Sequence, residues 1–169
     1  TVAFNPALTW QPSGAASIHV NAEYVSADYT PESGIPLVND ELLDVPRERD
    51  YQTPFDRSNQ DIYRGQIDYE QRFSETVSVR NKTWFRRLDW FSEGTLFLGD
   101  ISFPGLPTAF DPIILQTVIG LDDNQRMWGN QTEALLEFDT GAVHHSMLVG
   151  VELSRYADRF SFGNSETFF

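Results

Sequence analysis

Five aromatic and arginine side chains in this sequence have the chemistry to hold a bulky, partly apolar ligand. They are Arg64, Trp84, Arg86, Trp90 and Tyr156. Aromatic rings offer broad apolar surfaces, guanidinium groups offer charged hydrogen-bond donors, and ligand sites commonly combine the two. We predict these five as ligand-binding residues. The alternative is that they pack at strand ends and in loops.

Catalytic and metal-binding chemistry is not indicated. The sequence has no G-x-S-x-G, phosphate-binding-loop or H-E-x-x-H motif, and it has no cysteine for a thiolate site or a disulfide. His144 and His145 are adjacent and would point to opposite faces of a strand, while His19 lies in another hairpin. Asp122 and Asp123 fit the approach to a turn better than a calcium loop. We predict no enzymatic activity, no cofactor and no metal ligands.

Composition limits the possible functions further. The 169 residues carry 25 acidic and 12 basic side chains, for a formal net charge of −13. Such a charge repels phosphate backbones, so nucleic acid is not an expected partner. The chain is 40% hydrophobic, which argues against disorder, and no apolar run approaches the roughly 20 residues of a transmembrane helix.

Six segments alternate between apolar and polar residues, which predicts an all-β antiparallel meander of about six strands. In the second segment, for example, Ile18, Val20, Ala22 and Tyr24 share one face. The segments are Phe4–Trp10, Ala16–Val25, Ile62–Phe73, Val77–Arg86, Arg126–Phe138 and Val143–Arg155.

The connections between these segments alternate in length. Tight turns are predicted at Pro12–Ala15, Ser74–Thr76 and Asp139–Ala142, whereas Ala27–Ser58 and Arg87–Asn124 are predicted as long acidic loops. Short turns at one rim and long loops at the other are typical of an outer-membrane β-barrel. In that reading the alternating apolar residues face lipid and the polar residues face the lumen.

Aromatic spacing supports a membrane barrel. Tyr63 and Phe73 lie ten residues apart on one strand face, as do Trp128 and Phe138. On a strand tilted by roughly 40°, ten residues span about 25 Å, which is the height between the two aromatic girdles of such a barrel. Within the first hairpin, pairing Trp10 with Ile18 would place aromatic residues near the loop end as well.

The polar face is expected to carry cross-strand charge pairs. If Phe73 pairs with Val77, then Glu70 faces Arg80 and Asp68 faces Lys82, whereas Arg64 faces Arg86 and needs a further partner. This register puts Arg64, Trp84 and Arg86 in the lumen at the loop end of their strands. Trp90 and Tyr156 are expected just beyond strand ends.

Several stretches in order resemble the barrel of TonB-dependent siderophore receptors of the ferrichrome-receptor-like group. They read ALTWQP, DYTPESGIPL, DVPRERDYQTPFDRSNQDIYRGQIDYEQRF and FDTGAVHHSMLVGVELSR, and the similarity is weakest in Gly94–Leu121. The resemblance implies uptake of ferric siderophores across a Gram-negative outer membrane. It also implies a 22-stranded barrel, outer-membrane lipid around it, and a plug domain through which the TonB complex acts.

The sequence departs from that family in lacking a plug and most of the strands. Six strands cannot close a barrel, and an open sheet edge in lipid would leave backbone groups unpaired. We therefore expect residues 1–169 to be part of a receptor barrel domain, with the long loops outside the cell and the short turns in the periplasm. Two alternatives remain at this point. One is a soluble β-sandwich or lipocalin-like binding module, and the other is a small outer-membrane barrel with a structural or adhesion role, its extra strands within Gly94–Leu121.

Overall fold

The structure, a computed structural model, describes residues 1–38, 41–42, 45–101 and 113–164. No helix long and apolar enough to cross a bilayer occurs among those residues. The described chain forms strands alone, all paired antiparallel. These strands are β1 (Val2–Phe4), β2 (Ala7–Ser13), β3 (Ala16–Tyr29), β4 (Leu37–Val38), β5 (Glu41–Leu42), β6 (Arg57–Arg72), β7 (Val77–Ile101), β8 (Ile113–Thr140) and β9 (Val143–Asn164).

The main sheet is a single-layered meander that corresponds to the six predicted strands. Its order is β1-β3-β6-β7-β8-β9, and β2 also pairs with β3. Strands β1 and β2 are two pieces of one predicted strand, interrupted at Pro6, which has no backbone N–H to donate. The Pro6 carbonyl still accepts from the Ala22 N–H at 3.0 Å. The predicted fold class is therefore confirmed.

The predicted register is confirmed in both hairpins where it was specified. Trp10 pairs with Ile18, Leu8 with Val20 and Phe4 with Tyr24. In the second hairpin the predicted register sets Glu70 opposite Arg80, Asp68 opposite Lys82 and Arg64 opposite Arg86, and all three lie opposite each other in the structure. Alternation and turn length together fix this register. A slip of one residue would move every apolar side chain to the polar face, and the length of the turn excludes a slip of two.

The short turns all lie at one end of the sheet, as predicted. They join β2 to β3, β6 to β7 and β8 to β9. Gly141, in the last of these turns, has a φ of 65°, a left-handed conformation that favours glycine. The long connections leave from the opposite end, so we call the two ends of the sheet the turn end and the loop end.

The strands are much longer than predicted, and this corrects several expectations. Strand β7 continues past Arg86 to Ile101, strand β8 begins at Ile113, and their register is continuous apart from an irregularity between Phe97 and Gly99. Most of the described part of the predicted loop Arg87–Asn124 is thus paired strand. In the described part of Gly94–Leu121 there is no additional strand, only the upper parts of β7 and β8.

These longer strands also move individual residues. Trp90 lies inside β7 and Tyr156 inside β9, so the expectation that they lie beyond strand ends is wrong. Asp122 and Asp123 lie within β8 on opposite faces, not in a turn approach. Strand β9 runs to Asn164, past its predicted end at Arg155. Phe168 and Phe169 lie outside the described residues.

The sheet has two segments with different surroundings. We define the lower segment as residues 62–73, 77–87, 126–140 and 143–156, nearest the turn end, and the upper segment as residues 57–61, 88–101, 113–125 and 157–164. In the lower segment large apolar side chains are exposed, including Phe85, Trp128 and Leu153. In the upper segment Leu88, Thr95, Thr117, Val118 and Asp123 are each less than 10% exposed.

A loop packs on the upper segment and accounts for much of this burial. Its described residues are 30–38, 41–42 and 45–56, and they include the paired strands β4 and β5. The Thr95 hydroxyl donates to Asp56 Oδ1 at 2.7 Å, and the Thr53 hydroxyl donates to the same oxygen at 3.1 Å. Ser33 donates to the Thr95 carbonyl, and Gln52 Nε2 donates to the Pro31 carbonyl at 2.6 Å. The loop is thus held onto β7 by buried polar groups that satisfy one another.

Candidate functional site

All five predicted ligand-binding residues lie on the same face of the sheet, which we call the polar face. One row of paired residues crosses four strands and contains Arg64, Arg86, Met127 and Tyr156 in that order. Trp84 lies in the next row toward the turn end. Trp90 lies four residues beyond Arg86 on β7, about 13 Å nearer the loop end. On the polar face this places it two rows of paired residues away from Arg86. The sheet thus brings four of the five residues into two adjacent rows and leaves Trp90 apart.

Three of these residues line one cleft on the polar face. The cleft has a volume of about 460 Å³ and includes Arg64, Trp84 and Arg86 together with Glu23, Gln66 and Met127. Its walls offer an indole ring, a thioether, three charged groups and the side-chain amides of Asn5, Asn21 and Gln66. That mixture suits a ligand with both apolar and charged surface.

The indole of Trp84 lies directly against a glycine of the next strand. A Cβ at Gly129 would stand 2.5 Å from Cε2 of Trp84, so any other residue there would overlap the ring. Gly129 pairs directly with Trp84 across the sheet. A glycine inside a strand often marks such a close approach, and here it lets the ring lie over the backbone of β8.

The two opposed arginines in the cleft differ in how their charges are balanced. Arg64 Nη1 donates to Glu23 Oε2 at 2.6 Å, so Glu23 is the further partner that Arg64 was predicted to need. Arg86 has no carboxylate within ion-pair distance among the residues that the structure describes. Directly opposed like charges repel, and pairing one of them leaves Arg86 as an uncompensated positive charge facing the cleft.

Tyr156 and Trp90 have local hydrogen-bond partners. The Tyr156 hydroxyl donates to Asp158 Oδ2 at 3.1 Å, and the Tyr156 side chain remains 56% exposed on the polar face. Trp90 Nε1 donates to the hydroxyl of Ser58, a residue that is 2% exposed, at 3.0 Å. Tyr156 therefore keeps an accessible ring, whereas the indole N–H of Trp90 is used to hold β6 and β7 together.

A buried carboxyl group lies above the cleft. Asp123 pairs with Trp90 and is 5% exposed; its Oδ2 accepts from Gln125 Nε2 at 2.8 Å, while its Oδ1 has no hydrogen-bond partner among the described residues. Burial raises the pKa of the Asp123 carboxyl, and the neighbouring Asp158 raises it further.

The lower rows of the polar face hold charge pairs and no metal site. Lys82 Nζ lies 3.9 Å from Asp68 as predicted, but Arg80 pairs with Glu133 of β8 rather than with Glu70. His144 and His145 point to opposite faces, toward Asp139 and Phe138 respectively. Across the described ranges, no three His, Cys, Asp or Glu side chains cluster as metal ligands.

Several residues that shape the cleft were missed from the sequence. Glu23, Gln66, Met127 and Gly129 were not predicted as part of it. Glu23 and Gln66 were identifiable as polar-face residues from alternation. Gly129 carried the signal of a glycine within a strand. Nothing in the local sequence marked Met127, because only the pairing of β8 with β7 places it beside Arg86.

Comparison with known proteins gives matches at the level of structure alone. No protein-family profile and no curated protein sequence matches the chain. Two solved structures of the ferric-catecholate import receptor Fiu from E. coli K12, in closed and open forms, superimpose with TM-scores of 0.80 at 20% identity. The alignments cover 92% of this chain but only 24% and 26% of the receptor chains.

This likeness confirms the predicted resemblance to siderophore receptors at the level of fold. The chain spans about a quarter of the length of the Fiu receptor chains. Both similar structures are of an import receptor, not of an enzyme.

Proposed function

We propose that this chain is a segment of a Gram-negative outer-membrane receptor that takes up ferric siderophores in a TonB-dependent manner. Residues 1–169 would form part of the barrel wall and its loops, and a plug domain contributed from outside this segment would contact the TonB complex. Capture on the polar face and the loops would precede a TonB-driven rearrangement of the plug. The segment itself would need no enzymatic chemistry and no resident cofactor.

One observation carries the ligand-binding part of the proposal, namely the uncompensated Arg86 beside the Trp84 ring. Glu23 balances Arg64, so the cleft has one positive charge available for an incoming anion. A guanidinium binding a charged oxygen contributes more than a neutral hydrogen bond. The flat indole next to it offers apolar contact to the same ligand.

The membrane part of the proposal is supported by the opposite face of the sheet. Its large side chains are exposed: Leu153 by 66%, Val151 by 60% and Trp128 by 50%. No second layer of described residues covers them. An apolar surface of this extent is far larger than soluble monomers expose, and contact with lipid would remove it from water.

The structural neighbours suggest the ligand class. Fiu imports ferric catecholates, and such a chelate combines aromatic rings with negative charge. Rings that stack on Trp84 or Tyr156 while oxygens meet Arg86 would use each feature of the polar face. We therefore propose a ferric catecholate as the ligand, with Trp84, Arg86 and Arg64 in direct contact and Tyr156 at the edge. Trp90, the fifth predicted residue, would contact only a ligand that extends toward the loops.

The test compares single variants of the membrane-inserted protein. Trp84→Ala and Arg86→Ala should each weaken ferric-catecholate affinity by about 10- to 100-fold, the effect of losing a charge-assisted contact or a buried ring. Quenching of intrinsic tryptophan fluorescence on titration with the chelate measures this affinity for Arg86→Ala. For both variants, uptake of radioactive iron from the ferric catecholate measures the effect on transport.

Arg80→Ala is the matched control because Arg80 lies on the same face and strand but pairs with Glu133, below the cleft. The Arg80→Ala variant should bind the ferric catecholate with the same affinity as the unmodified protein. Unchanged affinity in both Trp84→Ala and Arg86→Ala would contradict the site assignment. A folded, detergent-independent monomer would contradict the membrane assignment and favour a soluble binding module.

A further inference from the structure

Two carboxyl groups of the polar face lie close together above the cleft. Asp123 of β8 and Asp158 of β9 are diagonal neighbours on this face, since Asp158 pairs with Gln125. The Asp158 carboxyl raises the pKa of Asp123, as expected of two like charges in close proximity. We call Asp123 and Asp158 the upper acidic pair.

The contacts of the upper acidic pair leave one buried oxygen atom unsatisfied. Gln125 Nε2 donates to Asp123 Oδ2 at 2.8 Å, and the Tyr156 hydroxyl donates to Asp158 Oδ2 at 3.1 Å. Asp123 is only 5% exposed, and its Oδ1 has no hydrogen-bond partner among the described residues. Neither carboxyl lies within ion-pair distance of a lysine, arginine or histidine in the described ranges. Because buried carboxylates are normally paired, the arrangement is incomplete without a positive group.

Aromatic rings flank the upper acidic pair. Asp123 pairs with Trp90 of β7 and with Phe160 of β9, so an acidic residue lies between two aromatic residues in one row. Phe160 remains 61% exposed and stacks on Phe162, with their ring centroids 6.4 Å apart. A cation over the face of an aromatic ring is attracted by the quadrupole of the ring. Carboxyl groups beside accessible rings therefore suit an organic ammonium group.

The same donor set fits a metal ion poorly. Calcium normally takes about six to eight oxygen ligands. The upper acidic pair supplies two carboxyl groups, and no third His, Cys, Asp or Glu side chain in the described part of the chain completes a metal-binding cluster. An alkylammonium group, by contrast, is bound by one or two carboxylates together with aromatic ring faces.

The upper acidic pair and Arg86 carry opposite charges on one face of the sheet. Along the strands, the row of Asp158 lies about 7 Å and the row of Asp123 about 13 Å nearer the loop end than Arg86. Tyr156 lies in the row of Arg86, and its hydroxyl contacts Asp158. A single ligand of this length can therefore contact both charges.

We propose that the upper acidic pair binds an ammonium group carried by the siderophore, so that the preferred ligand has an anionic ferric catecholate at Arg86 and a cationic arm at Asp158. The inference rests on the proposed siderophore function and narrows its ligand class. Asp158 is exposed and makes the direct contact, while the buried Asp123 strengthens the negative potential behind it. Phe160 and Trp90 supply the ring faces that contact the alkyl groups of the cation.

The test uses two ferric tris-catecholates that differ in one side arm only. One arm ends in a trimethylammonium group, and the other ends in a tert-butyl group of the same shape without charge. Isothermal titration calorimetry on the purified, membrane-extracted protein measures both affinities. The unmodified protein should bind the ammonium chelate about tenfold more tightly than the tert-butyl chelate, the effect of one cation in contact with a carboxylate and a ring.

The variants neutralise the carboxyl groups without changing their shape. Asp123→Asn combined with Asp158→Asn should reduce the tenfold preference to about one. The single variant Asp158→Asn alters only an exposed position, so it tests the contact without disturbing a buried residue, and its preference should fall by about threefold or more. Phe160→Leu keeps both carboxyl groups but removes the ring, and it should reduce the preference about two- to threefold.

Glu152→Gln is the matched control, because Glu152 is an exposed acidic residue on the same face of β9 but nearer the turn end. It should keep the tenfold preference for the ammonium chelate. Loss of the preference in Glu152→Gln as well would show that the cation responds to the overall negative charge and not to the upper acidic pair.

The outcomes separate this inference from the proposed function. Equal affinity of the two chelates for the unmodified protein would overturn the inference and leave the siderophore function in place. An ammonium preference that survives in both aspartate variants would also overturn it. Loss of the preference in millimolar calcium chloride would identify the upper acidic pair as a divalent-cation site instead. Binding of neither chelate would contradict the proposed function, and the inference with it.

Discussion

The lower and upper segments of the same strands are stabilised in different ways. In the lower segment the two faces alternate between polar and apolar residues, apart from a hydrogen-bonded group of Asn81, Thr83, Asn130 and Thr132 on the apolar face. On that face Phe85 and Trp128 remain 46% and 50% exposed. In the upper segment Thr95 and Thr117 are 4% and 3% exposed, because the loop of residues 30–56 packs there. The lower segment therefore depends on surroundings other than the described chain, whereas the upper segment has a small core of its own.

This difference shows what alternation can and cannot reveal. A strand with one apolar and one polar face produces a period of two in its sequence. A strand covered on both faces loses that period, and Arg87–Asn124 was predicted as a long loop for this reason. Where alternation ends, the strand need not end.

The largest effect is expected from adding a side chain at Gly129, where the Trp84 ring lies against the backbone of β8 in the lower segment. Gly129→Val would place a side chain inside the volume of the Trp84 ring, and overpacking of this kind costs about 3 kcal/mol. We expect a lower unfolding midpoint in denaturant and loss of ferric-catecholate binding, both measured on the membrane-inserted protein.

Combining Gly129→Val with Trp84→Ala should restore most of the lost stability, since the second change removes the ring that the new side chain meets. Stability would return without ligand affinity. If the double variant is no more stable than Gly129→Val alone, the contact between this glycine and the indole does not limit packing.

A smaller effect is expected from breaking the polar network of the upper segment. Asp56→Ala removes the carboxylate that accepts from the Thr95 hydroxyl, the Thr53 hydroxyl and the Thr53 N–H, and it leaves the Thr95 hydroxyl only its contact with the Thr53 hydroxyl at 3.2 Å. This loss costs about 2 kcal/mol. The loop of residues 30–56 should then be cut faster by protease, while the lower segment keeps its resistance. Uniform loss of resistance along the chain would show that the two segments unfold together and would remove the distinction between them.

The smallest effect concerns the pH dependence of the upper segment. Because burial and Asp158 raise the pKa of Asp123 in the folded protein, the folded state holds this proton more tightly than the unfolded state. The protonated Asp123 carboxyl therefore contributes to the free energy of unfolding. This contribution is fully present below the ordinary carboxyl pKa of 3.8, and it is lost as the pH rises through the raised pKa of Asp123 in the folded protein.

Asp123→Asn should remove that pH dependence and make the upper segment more stable at pH 7. Proteolysis of the upper segment across a pH series measures both effects. Gln125→Ala is a useful comparison because it removes a hydrogen bond to Asp123 but keeps the carboxyl group. An Asp123→Asn profile parallel to that of the unmodified protein would contradict the assignment.

Much of the lower segment and of the β2–β3 hairpin was predictable from the sequence. The pairs Trp10–Ile18 and Asp68–Lys82 followed from alternation and turn length alone, and both are formed. The shared face of Arg64, Trp84 and Arg86 followed in the same way. Glu23 as the partner of Arg64 was not predicted, since it requires knowledge of which strand lies beside β6.

The sequence by itself determined the class of fold, the register of the hairpins and the face on which each lower-segment side chain lies, because a strand has a strict period of two. Only the tertiary structure decided how far β7 and β8 extend, which of two opposed arginines keeps its charge available, and where Trp84 rests. Those features depend on contacts between strands and loops that are distant in the sequence. A local sequence pattern does not show which residue of a neighbouring strand will balance a charge or pack against a ring.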